Sequence, residues 1–97
     1  MGHRKELKSV LTDNMDECIL CGKPREQIHH IFTAYNRKKA EKYGYVIPLC
    51  REHHTGDMGV HSNREIDICW RQEAQKHFEK HHGSREDFIK EFGKSWI

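Results

Sequence analysis

The order of apolar and polar positions divides the chain into a polar start, two short β-like runs and two amphipathic helices. Residues 1–17 hold only Leu7, Val10 and Leu11 as an apolar cluster, which predicts a short helical or loose lead-in. The runs "QIHHIF" (27–32) and "YVIPLC" (45–50) are short, rich in β-branched residues and read as strands. Pro48 has no N–H to give to a ladder, so it sets the second run at a sheet edge or at a strand end. Between them, "TAYNRKKAEKYG" (33–44) is basic and stops at Gly44, as a loop or a short helix. Asn63 is a good N-cap with Glu65 behind it, and Ile66, Trp70, Ala74 and Phe78 then recur at helical spacing, with His77 beside them. This predicts a helix from about Arg64 to about Lys80, ended by His82-Gly83. Ser84 and Asp87 form a capping box for a last helix, with Phe88, Ile89, Phe92 and Trp96 on its buried side.

The chain has 97 residues, 35% of them hydrophobic and 33% charged, which implies one small domain with a marginal core. Domains of this size commonly add a metal or disulfides, and nine histidines and four cysteines offer the ligands. The expected organisation is a lead-in over 1–17 and one domain over 18–97, with its core at about 18–80 and a helical brace at 84–97. A formal charge of +2 is only a weak pull toward nucleic acid. No apolar run approaches a membrane span and no signal-peptide pattern opens the chain, so no membrane partner is expected. The expected compartment is a reducing cytoplasm, where cysteines serve metals or chemistry.

Chemistry concentrates between Cys18 and His61. Cys18-x-x-Cys21 lies in a knuckle closed by Gly22 and Pro24, and Cys50-x-x-His53 supplies a second ligand pair. Together they make a tetrahedral Cys₃His site, closed and therefore structural. The competing readings are unrelated buried thiols or a disulfide. Cys69, one position from the apolar stripe of its helix, is expected as a buried thiol. With His53 used, His29, His30, His54 and His61 remain. Neighbours on a strand point to opposite faces, so one of His29 and His30 can ligate a metal while the other reaches substrate or water. A fold-back of "TGDMGV" would bring His61 beside His54, and a His29, His54, His61 site keeps positions open, as catalytic sites do. His61 could instead belong to a turn before the helix, and the roles of His53 and His54 could be exchanged. His3, His77, His81 and His82 read as surface or core residues, and Phe78, Phe88, Phe92 and Trp96 as core rather than base-stacking platforms.

The stretch "HHI" (29–31), with "PLCREHH" (48–54) and "HHTGDMGVH" (53–61) after it, resembles the HNH (His-Me finger) endonuclease family. It is similar in particular to small phage and prophage nucleases, including the recombination-enhancement, RecA-dependent group. The resemblance covers residues 18–61 and implies the α+β class: a small ββα-metal (HNH) finger with a zinc knuckle and C-terminal helices. It implies His30 as general base, and His29, His54 and His61 as ligands of a catalytic Mg²⁺, Mn²⁺ or other divalent ion. Zn²⁺ would sit structurally on Cys18, Cys21, Cys50 and His53. The family's middle asparagine, which orients the base, would fall near Gly44 and Tyr45. Asn36 is the one asparagine between the motifs and takes that role here.

DNA is the implied partner, with Arg37, Lys38, Lys39, Arg51 and Arg64 as candidate phosphate contacts. Nothing in the chain looks like a sequence-reading element, so little sequence preference is expected. Nicking by a monomer and double-strand cutting by a homodimer fit the residues equally, in the cytoplasm of a bacterial host. Two rival readings are a zinc-knuckle module that holds DNA without cutting it, and an accessory protein docking on recombination or packaging proteins. The second rival uses "REDFIKEFGKSWI" as its contact and requires Phe92 and Trp96 to be exposed.

Overall fold

Two β-strands and four α-helices build the chain in a computed structural model that describes residues 7–56 and 59–97. Strand β1 (Gln27–His30) pairs antiparallel with β2 (Val46–Leu49), placing His29 opposite Ile47 and His30 opposite Val46. The strands are shorter than the apolar runs that announce them. Ile31 and Phe32 turn off the end of β1 into the core, where both are buried, and Ile31 N still donates to Tyr45 O at 3.0 Å. Pro48 stands in a two-stranded sheet, where its missing N–H costs no second ladder. Its carbonyl accepts from Ile19 N at 3.0 Å, which ties the cysteine knuckle to the sheet.

Of the two readings for 33–44, the helical one holds. A 3₁₀ turn (Ala34–Asn36) leads into α1 (Arg37–Tyr43), which stops at Gly44 with φ +80°. A side chain is excluded there twice over, because a Cβ would also lie 2.9 Å from Val10 Cγ1. Val10 N donates to Gly44 O at 3.0 Å and pins the lead-in to this turn. Residues 7–17 form no helix, and His3 lies outside the described residues.

Helix α2 (Arg51–Thr55) follows β2 directly, and α3 (Arg64–His81) starts where Asn63 Oδ1 accepts from Glu65 N and Ile66 N. Helix α4 (Arg85–Phe92) carries the full Ser84–Asp87 capping box. The hairpin, α3 and α4 enclose one aromatic core. Phe32 lies 4.5 Å from Phe92 and 5.7 Å from Phe88 between ring centroids, with Tyr45 and Phe78 beside them. Each such ring, once buried, stabilises the fold by about 1.5–3 kcal/mol, which matters in a chain this polar. No helix among the described residues is long and apolar enough to cross a membrane.

Three expectations need correction. Ile89 is 39% exposed, because Phe88 and Phe92, one turn apart, own the buried stripe of α4 and the next residue turns about 100° away from it. The same rotation explains Cys69, which is exposed rather than buried, one residue before Trp70 on the stripe of α3. Trp96 lies beyond α4, after Gly93 has turned the chain at φ +96°. Its N–H donates at 2.7 Å to Gln75 Oε1, a fully buried amide that also donates to Ser95 Oγ and Glu79 Oε2.

Candidate functional site

The knuckle and the start of α2 bring Cys18, Cys21, Cys50 and His53 into one group that can hold a metal such as zinc. Cys21 Sγ and Cys50 Sγ are 3.7 Å apart, Cys18 Sγ and His53 Nδ1 3.6 Å, and Cys50 Sγ and His53 Nδ1 3.2 Å. The edge of a tetrahedron with Zn–S bonds of 2.3 Å is about 3.8 Å, far from the length of a disulfide. The cysteines are free. Burial raises the Cys18 thiol, but N–H groups of Cys50, Leu20 and Cys21 outweigh it and bring the pKa down to about 6, which favours the ligating thiolate.

In a second group, His29, His54 and His61 each offer one ring nitrogen, all within 4.8 Å of one another. His54 Nε2 and His61 Nε2 are 2.9 Å apart, and the His29 ring centroid lies 5.6 Å from that of His54 and 5.1 Å from that of His61. The return of the chain from α2 makes this possible. Val60 N donates to His53 O and His61 N to His54 O, so the two segments run side by side. Gly59 lets them approach, since a Cβ on it would meet His54 C at 2.7 Å. Asp57 and Met58, the tip of the expected fold-back, lie outside the described residues.

His29 is 4% exposed, and its Nε2 is buried without a hydrogen-bond partner among the described residues. Such an orphan is costly unless something ligates it. Burial first, then His61, His54 and Arg71, pull its pKa down to about 3, so the ring is neutral near pH 7. His54 is lowered as well, by burial and by His61. Three imidazoles gathered around an orphan nitrogen fit a divalent ion. The set contains no carboxylate, so it suits Zn²⁺, Ni²⁺ or Cu²⁺ better than oxygen-seeking Mg²⁺.

His30, the next residue, is 8% exposed, and its Nε2 donates to Glu41 Oε2 at 2.7 Å. Its Nδ1 has no partner among the described residues. Glu41 escaped the sequence reading because it lies inside "NRKKAEK", a stretch that looks like a solvated charged face. Asn36 goes elsewhere: its Nδ2 donates to Phe92 O at 3.0 Å, joining the 3₁₀ turn to the end of α4. The candidate phosphate contacts separate too. Lys39 is engaged with Glu91 O at 2.6 Å, and Arg51 with Glu26 at 3.5 Å. Arg37, Lys38 and Arg64 are exposed and have no acidic partner among the described residues.

Arg71 is a further residue the sequence reading missed. It lines a cleft of about 300 Å³ together with His29 and His61. Its place at the site depends on α3 packing against Phe32, just past the end of β1, which no local spacing announces. Compared with known proteins, the chain matches no family model, no curated protein and no solved structure.

Proposed function

We propose that the chain is a divalent-metal-dependent endonuclease of HNH type that hydrolyses DNA phosphodiester bonds with little sequence preference. The supporting observation is the adjacency of His29 and His30. One carries an orphan buried nitrogen among two further histidines, and the other is a buried imidazole held by a carboxylate. A neutral His30 that donates from Nε2 to Glu41 keeps its lone pair on Nδ1, the atom that takes the proton of the attacking water. Glu41 fixes that tautomer and the ring's orientation. His29, His54 and His61 would hold the ion, which when bound supplies Lewis-acid stabilisation of charge developing at the phosphate and the leaving 3′ oxygen. Arg37, Lys38 and Arg64 supply exposed positive charge for the DNA backbone, which positions without reading sequence. In this reading the Cys₃His group carries the structural zinc that the small core calls for.

The test is cleavage of supercoiled plasmid with Zn²⁺, Ni²⁺, Co²⁺, Mn²⁺ or Mg²⁺, beside His30→Ala and His54→Ala. Metal-dependent cutting that falls by about 10²–10⁴-fold in His30→Ala supports the reading. No cutting by the native chain with any ion rejects it in favour of a module that binds DNA without cleaving it. The docking alternative loses its stated contact surface, since Phe92 is 4% exposed and Trp96 is packed against the core.

A further inference from the structure

Arg71 is held from three sides. Its Nε donates to Asp67 Oδ1 at 3.2 Å, one turn earlier on α3. Its guanidinium lies 4.6 Å from the Trp96 ring centroid and 5.9 Å from that of Phe32. The side chain is only 18% exposed, and that of Asp67 only 16%. A plain helical brace would need no more than this ion pair. Yet Nη1 and Nη2, which carry four of the five donors, have no acceptor among the described residues.

The cleft that Arg71 lines is walled by His29 and His61, by the hydroxyl residues Thr33 and Ser62, and by Arg64. Its one carboxylate, Asp67, is already taken by Arg71 Nε. Two arginines facing one neutralised acid leave the cleft positive. A cation in the three-histidine site would repel this guanidinium unless an anion lay between them. A planar fork with free paired N–H groups suits a tetrahedral oxyanion, and an arginine locked by stacking loses little further entropy on binding one.

We propose that Arg71 forms an oxyanion subsite in this cleft, its free Nη groups gripping two oxygens of a nucleic-acid phosphate beside His29 and His61. The choice of a nucleic-acid phosphate over a free one rests on the nuclease reading. The subsite itself rests on the cleft and the fixed guanidinium. Arg71 is then a substrate-positioning residue, and Asp67 and Trp96 set its angle.

The experiment uses the zinc-loaded full chain and two probes, inorganic phosphate and a short DNA duplex. The Arg71 side-chain N–H resonances are followed in the native protein, and affinities are measured for native, Arg71→Lys and Arg71→Gln chains. The expected result is a shift of the Arg71 resonances with both probes, and at least a tenfold weaker affinity for both in Arg71→Lys, which keeps the charge but not the fork. Unmoved Arg71 resonances in the native protein overturn the subsite even if neither variant folds. Unchanged affinity in a folded Arg71→Lys also overturns it. A response to inorganic phosphate with none to the duplex overturns the nucleic-acid source. If both probes move Arg71 but the native chain cuts no DNA, the subsite stands and the nuclease reading fails. If DNA is cut with native efficiency by Arg71→Lys, the subsite fails and the nuclease reading stands.

Discussion

Glu41 Oε2 lies 2.7 Å from His30 Nε2, joining α1 to the end of β1 beside the three-histidine group. The histidine is buried while the carboxylate is 39% exposed, so solvent damps the pair's contribution to stability. Its main effect is orientation. Glu41→Gln keeps an acceptor but loses the charge, and Glu41→Ala loses both. For the cleavage reaction, Glu41→Ala is expected to lower kcat by roughly 10–100-fold with KM little changed, and Glu41→Gln by less. Neither should cost more than about 1 kcal/mol of stability. Steady-state plasmid nicking and urea titration check both. Full activity in Glu41→Ala would mean that His30 is not oriented through Nε2.

Asn36 invites the opposite expectation. Its amide donates to Phe92 O and closes 3₁₀ turn on α4, while the bond to His30 comes from Glu41. Asn36→Ala should therefore cost about 1 kcal/mol of stability and leave the pH profile of cleavage unchanged. A variant of native stability with a shifted profile would return Asn36 to the base-orienting role that the family resemblance implies.

Two separate ligand groups predict two metals that differ in consequence. Cys50→Ser should leave the chain unfolded or molten, since a closed site in a small domain carries folding energy. His54→Ala should stay folded and lose one equivalent of metal. Substituting Co²⁺ separates the sites by colour, because only the Cys₃His group gives thiolate-to-cobalt charge transfer. Elemental analysis with cobalt spectra of both variants is the measurement. Retention of two equivalents by His54→Ala would remove His54 from the ligand set.

Where local chemistry decides a structure, the sequence made it readable. The Ser84–Asp87 box, the Asn63 cap, the Gly44 stop and the two strands each rest on a few adjacent residues with one physical preference. The ligand groups were legible for a related reason, since Cys-x-x-Cys and Cys-x-x-His are bites set by a single turn. What stayed hidden depends on elements distant in sequence meeting in space. Glu41 reaches β1 from a helix that reads as solvent-facing, and Arg71 reaches the site only because α3 packs against Phe32, just past β1. Nothing local marks Gln75 for burial, yet Ser95 and Trp96 of the C-terminal tail bond to its amide.

The depressed pKa of His29, about 3 against an ordinary 6.5, gives the fold a pH dependence of defined sign. Below pH 6.5 the unfolded chain takes up a proton there that the folded chain refuses. Stability present in full above that value is therefore lost as pH falls toward 3, by up to about 1.4 kcal/mol per pH unit. His29→Gln cannot titrate and should show a shallower loss. Urea midpoints of both chains, each carrying one equivalent of zinc, compared from about pH 6.5 down to about pH 4, give the difference. Parallel slopes would mean that the ring accepts its proton in the folded state.

Gly59 allows the most selective disruption of the three-histidine site. What excludes a side chain there is space. A methyl group would lie 2.7 Å from His54 C, 2.8 Å from His54 O and 2.9 Å from Thr55 N, all backbone atoms that cannot swing aside. The segment carrying His61 must therefore move off α2 in Gly59→Ala, stretching the bonds His61 N→His54 O and Val60 N→His53 O. His54 and His61 would separate, while Cys18, Cys21 and Cys50 keep their places on the knuckle and at the end of β2. The expected outcome is a folded protein that holds zinc at Cys₃His, binds the second ion at least tenfold more weakly and cuts DNA correspondingly less. Metal titration followed by cleavage at saturating metal tests this. If excess metal restores the rate, the damage lies in ion affinity alone, as the geometry predicts. If the rate stays low at full occupancy, His54 and His61 also set where the substrate phosphate sits.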